Sequence, residues 1–191
     1  MALKNGMNIT LDKFKRILAG VKALPGKDVL VGIPGEMADR NGDPPGTPNN
    51  AVLGYVHEFG MPERNLPARP FLFPGIRHVQ PRTASYLKQA GAAVLEGNPE
   101  RAERALDAAG LIASTAAKNK ISAGIPPPLA ESTLRARARR KAGAGHRINL
   151  GAQDELNWRA NGGTPGTTFA KPLIDTGQLL ASITYVVRTG K

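Results

Sequence analysis

The chain has 191 residues, of which 22 are Gly, 16 are Pro and none is Cys, and its net charge is +11. That length suits one domain with a true core, and a Gly and Pro share of about a fifth implies long loops without general disorder. The lack of cysteine excludes disulfides, thiolate metal sites and cysteine nucleophiles, while the charge points to nucleic acid, an anionic surface or an acidic protein as partner.

The first ten residues, MALKNGMNIT, hold no apolar signal region, and no later stretch has the uninterrupted apolar length of a membrane span. The expectation is a soluble protein made in a cytoplasm, with no membrane partner. Thr10 is placed to cap a helix in which Leu11, Phe14, Leu18 and Val21 recur at helical spacing, with Ile17 beside them, up to Pro25-Gly26. The β-branched run Asp28 to Ile33 reads as a buried strand. Residues 34–50 carry four Pro and three Gly with almost nothing to bury, a loop length that is uncommon without a function. They lack the Gly-Lys-Ser/Thr of a phosphate-cradling loop, which excludes nucleotide binding there.

A short helix is predicted from Ala51 to Phe59, ended by Gly60. Pro70 to Phe73 is predicted to be extended, because Arg69 and Phe73 both precede a proline. Ile76, Val79, Leu87, Ala90 and Val94 mark a second helix, running to Gly97. Asn98-Pro99-Glu100 is a strong start for a third, reaching about Ile121. Its buried stripe is Ala102, Ala105, Leu106, Ala109, Ala113 and Ala116, small side chains that imply close approach to another element. Leu111 lies among the charges instead, where a subunit contact would explain it.

Ile125 to Leu129 is a stiff proline spacer, and residues 130–141 form a short basic helix capped by Ser132 or Thr133. Residues 142–170 read as glycine-rich and nearly core-free, with Trp158 as anchor. Asp175 or Thr176 caps a last turn of helix, after which Ile183, Tyr185 and Val187 alternate as a strand. The sum is an α+β fold: a small antiparallel sheet packed against several helices, one domain over 1–191, with extended loops at about 34–50 and 142–170.

No catalytic constellation emerges, and the protein is expected to be no enzyme and to need no cofactor. His57-Glu58 begins like a zinc-protease helix, but Met61 stands where the second histidine would have to be. There is no Gly-x-Ser-x-Gly elbow, and the acid pairs Asp39 with Asp43 and Glu100 with Glu103 sit in a loop and a solvated helix start. Two other features stand out. Residues 55–74, YVHEFGMPERNLPARPFLFP, hold four of the nine aromatic residues, and aromatic rings dominate burial and interfaces. Arg135, Arg137, Arg139, Arg140, Lys141 and Arg147 cluster within thirteen positions, enough for several phosphate contacts without sequence preference, or for an acidic partner.

The run VHEFG from Val56 to Gly60, followed by PARPFLFP from Pro67 to Pro74, resembles the signature of the tail-component family of long-tailed bacteriophages, which includes tail-completion or neck proteins. PPPLAESTLRARARRKAG from Pro126 and KPLIDTGQLLASITYVV from Lys171 are similar to the C-terminal half of the virion-morphogenesis proteins of Mu-like phages. His57, Glu58, Phe59 and Gly60 match the first motif, Arg69, Pro70, Phe71 and Leu72 the second, and Leu173, Ile174, Asp175, Thr176, Gly177 and Leu179 the third. The glycine-rich stretch before Lys171 and the short end after Val187 depart from that pattern. The resemblance implies a structural virion protein, built in the host cytoplasm, that forms a ring, six-fold by expectation, at the head-proximal end of the tail. It would meet tail-tube and head-connector or other neck proteins and enable head-tail joining. On this reading His57 to Gly60, Arg69 to Leu72 and Asp175 to Gly177 are subunit-interface or hinge residues. The alternative is a sequence-independent nucleic-acid-binding module of a phage or mobile element, working through the arginine cluster.

Overall fold

Two long helices and a pair of strands set the frame. A computed structural model of the chain describes residues 14, 15, 17–19, 21, 27–40, 46–140 and 150–189. Among them, β1 (Lys27–Gly32) pairs antiparallel with β2 (Thr184–Thr189), in a register running from Lys27 opposite Thr189 to Gly32 opposite Thr184. The helices in chain order are α1 (Asn50–Phe59), α2 (Leu72–Leu95), α3 (Pro99–Ser122), α4 (Glu131–Ala138), α5 (Leu150–Ala160) and α6 (Gln178–Ser182). The fold is α+β, as expected, with helix dominating.

The pair α2 and α3 forms an antiparallel hairpin whose small residues let the axes come close. A Cβ at Gly75, near the start of α2, would lie 2.7 Å from Cα of Ala117, near the end of α3. The turn is made by Gly97 at φ 73° and by Asn98, whose side chain accepts from the Arg101 N–H at 3.0 Å. The sheet lies on α3, and the Tyr185 ring sits directly over Gly110, where a Cβ would be 2.2 Å away. Ala90, Ala93, Val94, Ala102, Ala105 and Leu106 fill this layer, with Val29 and Val187 against them.

A second cluster joins Phe71, Ala117, Ile121, Ile125, Leu173, Leu179 and Ile183, and so binds the central aromatic segment to the C-terminal one. A third joins Leu129, Leu134, Ala152 and Ala170 around α4 and α5. No described helix is long and apolar enough to cross a membrane.

Several expectations need correction. The strand at 28–33 is half-buried, not buried: Leu30 and Val186 face each other across the register on the outer face, both exposed. Leu72 and Phe73 are helical, not extended. The stripe on α3 turns through Ala117, which is fully buried, while Ala116 is not. Neither Ser132 nor Thr133 caps α4, whose N-cap is Ala130 without a side-chain bond. Residues 150–160, read as coreless loop, form α5, which buries Ala152 and Glu155. Its carboxylate is useful there, because Glu155 Oε1 accepts from Arg159 Nε and from the Gly166 N–H, both at 2.9 Å. The loop over 34–50 is tied at its ends. Ala38 is buried, its carbonyl accepts from the Asn50 N–H at 2.7 Å, and Asn50 Oδ1 accepts from Arg40 Nη1 at 2.9 Å. The Thr10 cap, Leu11 and the Pro25-Gly26 stop lie outside the described residues, as do 41–45 and 142–149.

Candidate functional site

The segment from Tyr55 to Pro74 is a helix end, a tight excursion and a new helix start. Gly60 ends α1 at φ 79°, and a Cβ there would lie 2.8 Å from the Ala68 nitrogen, so both the dihedral and the space require glycine. Met61 and Leu66 exchange backbone hydrogen bonds at 2.8 and 3.1 Å, with Asn65 left-handed at φ 52°. The chain then returns beside its start, where the Arg69 N–H donates to the His57 carbonyl at 2.7 Å.

Glu58 closes the arrangement. Its side chain is buried at 6 % exposure, and its carboxylate accepts from the N–H groups of Phe71 (2.7 Å), Leu72 (2.8 Å) and Phe73 (3.0 Å). A helix leaves four N–H groups without intrahelical partners at its start. Here three bond to Glu58, and the fourth position is Pro74, which has no N–H. The first intrahelical bond follows at once, from Gly75 N to Phe71 O at 3.1 Å. A negative charge at a helix N-terminus is also favoured by the macrodipole. This explains why Phe73 is helical although it precedes a proline.

Two buried arginines brace the irregular segments. Arg69 donates from Nε and Nη2 to the Pro127 carbonyl at 3.1 and 3.0 Å, and from Nη2 to that of Pro128 at 3.4 Å, which holds the proline spacer in place. The Pro126-Pro127 bond is cis. Arg137 donates to the carbonyls of Lys171 (3.1 Å), Pro172 (2.8 Å) and Ile174 (2.9 Å), with Asp175 Oδ1 at 3.7 Å. Burial pulls both guanidinium groups below their ordinary value, with Asp175 opposing this at Arg137. At His57, burial first, then the charges of Arg69 and Arg137, lower the pKa from 6.5 and favour the neutral imidazole. Arg40, His57, Arg137, Asp175 and Thr176 line a polar cleft of about 170 Å³. Residues of the first and third motifs line this cleft together, and the second is tied to the first by the Arg69 N–H and to the third by the packing of Phe71 with Leu173 and Leu179.

The expected site residues divide accordingly. Phe71 is core, Glu58, Arg69 and Arg137 are bracing groups, and Gly60 and Gly177 (φ 82°) are backbone turns. Thr176 Oγ1 accepts from the Gln178 N–H at 3.4 Å at the start of α6, while Asp175 instead pairs with Arg140 at 2.6 Å. Leu72 lies half-buried against the core cluster, and Pro70 is exposed.

The arginine cluster is not one continuous face. Arg137, at 7 % exposure, is withdrawn from any surface contact with nucleic acid because its donors are committed to backbone carbonyls. Arg140 is paired with Asp175, Arg135 is paired with Glu131, and Arg139 Nε donates to the Arg135 carbonyl at 3.2 Å. Lys141 and Arg147 lie outside the described residues.

On the outer side of this frame lies an apolar ridge that reasoning from the sequence did not separate from the core. Tyr55, Phe59 and Phe73 are 68, 55 and 63 % exposed, yet their rings are in contact, with centroids 4.8 Å apart for Tyr55 and Phe59 and 6.2 Å apart for Phe59 and Phe73. The ridge borders an apolar cavity of about 250 Å³ floored by Ile33, Gly54, Phe71 and Ile183. The signal was the i, i+4 spacing of Tyr55 and Phe59 with Val52 on the same helix face. Among the described residues no group of three His, Asp or Glu could hold a metal ion.

No family model matches the chain, and no solved structure matches it. A 32-residue stretch is 53 % identical to part of an uncharacterized protein of Methanocaldococcus jannaschii, covering 17 % of this chain and 24 % of that protein. So short an overlap assigns neither fold nor activity.

Proposed function

We propose that this chain is a structural, non-enzymatic protein of a long-tailed bacteriophage, of the neck or tail-completion type. It assembles as a ring at the head-proximal end of the tail and enables head-tail joining. The observation that carries the reading is the aromatic ridge. Three contacting rings stand exposed on a segment whose backbone is fixed by Glu58, Arg69 and the core position of Phe71. Contiguous exposed apolar surface on a rigid frame marks an interaction site, and the motifs that resemble the tail-component family are the ones that build the frame. Ring closure needs a heterologous contact between unlike faces of identical subunits, and the exposed ridge is suited to be one of those two faces.

Passing DNA without reading its sequence is compatible with the net charge of +11. The rival nucleic-acid-binding module is less well supported, because Arg137 faces inward and Arg135 and Arg140 are already paired with carboxylates.

The test is the mass of the purified protein by light scattering, together with negative-stain images, alone and with tail-tube protein. Closed rings of one subunit number are the expected result. A monomer at every concentration, with and without tail tube, would refute assembly. Unchanged duplex-DNA affinity after charge reversal of Arg135, Arg139 and Arg140, alongside lost infectivity, would remove the nucleic-acid reading.

A further inference from the structure

We propose that the outward face of α2, which carries Arg77, Arg82 and Lys88, is the surface that meets duplex DNA, through its phosphates and without reading bases. That this face lines the channel of a ring rests on the reading above; the contact with DNA does not. Residues 64–95, which include all of α2, hold no Asp or Glu. Arg77, Arg82 and Lys88 are exposed, and among the described residues none of them has an ion pair or a side-chain hydrogen bond. The charges of α3 sharpen this asymmetry. Glu100, Glu103 and Asp107 lie toward the hairpin turn, whereas Lys118 and Lys120 come just after Ala117, which meets Gly75 at the start of α2.

Helical geometry places the bases of α2 away from the core. At about 100° per residue, Arg77 and Lys88 stand within about 20° of each other, while the buried Gly75 and Ala93 lie about 160° away. An arc of about 140° from Arg77 round to Arg82 also carries His78, Pro81, Ser85 and Gln89, all exposed. Along the axis Arg77 and Lys88 are about 16 Å apart, the rise of about five base pairs. Phe73 of the aromatic ridge stands one turn before Arg77, so one helix carries both surfaces.

The content of the arc selects the partner. Between Arg77 and Gln89 its only apolar side chain is Pro81. A protein interface has a core depleted of charge and enriched in aromatic residues, and a helix lying on a membrane needs a free apolar face. The apolar face of α2 is already packed on α3. Single strands are held by bases stacked on aromatic rings, which the arc lacks. A duplex backbone needs only accessible cations, since it presents one negative charge per about 1.7 Å of axis. Pro81 also removes the intrahelical hydrogen bond to the Arg77 carbonyl, which leaves an acceptor for water on a face of this kind, and protein–DNA contacts are wet.

Neutralising variants test this on the full-length chain. One carries Arg77→Gln, Arg82→Gln and Lys88→Gln. Its control carries Arg101→Gln, Arg104→Gln and Arg188→Gln, exposed bases elsewhere with the same change in net charge. Circular dichroism melts verify that both fold. Fluorescence anisotropy with a labelled duplex of mixed sequence, about 30 base pairs long, reads affinity from about 50 to about 200 mM salt. Each phosphate contact contributes about 0.9 to the slope of log affinity against log salt. The α2 variant should therefore lose about 2 to 3 from that slope, and at least about tenfold in affinity at the lowest salt. The control should keep the slope and stay within about threefold of the wild type. An α2 variant that binds duplex like the control overturns the proposal, as does a wild type that prefers phosphatidylserine vesicles to duplex. Light scattering on the same samples separates the two readings. Rings of normal mass with unchanged DNA affinity in the α2 variant overturn the DNA face and leave ring assembly standing. Weakened DNA binding in a protein that never assembles, with or without tail tube, upholds the DNA face and removes the ring and its channel.

Discussion

Glu58→Gln isolates the group on which the central segment depends. The carboxylate accepts from three backbone N–H groups at 2.7 to 3.0 Å in a buried position. Hydrogen bonds to charged groups contribute about 1.5–3 kcal/mol each, although three on one carboxylate do not simply add. Loss of an ordinary N-cap costs about 1 kcal/mol, and the charge at the helix start up to about 2 kcal/mol in a buried geometry. Glutamine keeps one acceptor oxygen but turns an NH2 donor toward N–H donors, so a loss of about 2 kcal/mol is expected, and Glu58→Ala should lose about 4 kcal/mol. Urea unfolding followed by circular dichroism reads this as a lower midpoint at unchanged slope. The exposed Glu63 supplies the control, since Glu63→Gln should stay within about 0.5 kcal/mol of the wild type. If Glu58→Gln also falls within that margin, the carboxylate is not what holds α2 in place, and the account of Phe73 and Pro74 fails.

Phe71→Ala should cost about 3 kcal/mol by emptying a site in the core between α3 and the C-terminal segment, and the same urea titration checks it. His57 is held below 6.5 by burial and by Arg69 and Arg137, so the unfolded chain takes up its proton first as pH falls. Stability is therefore full above about 6.5 and declines as pH drops from there through the depressed folded value. In His57→Gln that part of the decline should vanish in melts across the range, with little loss of stability at pH 8. Arg137→Lys should cost about 2 kcal/mol, because a single ammonium cannot serve the three carbonyls of Lys171, Pro172 and Ile174 from one point. Thermal melts that place Arg137→Lys level with the exposed Arg139→Lys would contradict the bracing role.

Local chemistry was readable from the sequence and distant pairing was not. Asn98-Pro99 starts α3 because an N-cap and a proline at the first helical position act within one turn of backbone. Phe73-Pro74 misled, because the preference of a residue before proline is local while the acceptors that override it come from Glu58, fifteen residues away. The helix α5 was missed since its buried face is Ala152 and Glu155, which gives no apolar periodicity to detect. Arg137 looked like any member of a basic run. Its partners are backbone carbonyls 34 to 37 residues on, and a carbonyl leaves no mark in a sequence. The aromatic ridge was half-read: four aromatics in twenty positions announced an important segment, but only packing separates Phe71, inside, from Tyr55, Phe59 and Phe73, outside.

That division links the frame to the surface it carries. The irregular segments 125–129 and 171–175 bury Ile125, Leu129 and Leu173 in the core, but their backbone carbonyls still need donors that apolar packing cannot supply. Arg69 and Arg137 supply them by turning their guanidinium groups onto those carbonyls, and Glu58 does the converse with N–H groups. Each group is nearly buried and each binds backbone, so the positions of α1, the return loop and the start of α2 are set by charge-assisted bonds. The rings of Tyr55, Phe59 and Phe73 then project from a backbone already ordered before any partner arrives. Association pays heavily for ordering loops and side chains at an interface. Contacts made by aromatic rings on a braced segment avoid most of that cost, which suits a ridge only three rings long to the proposed role of assembly contact.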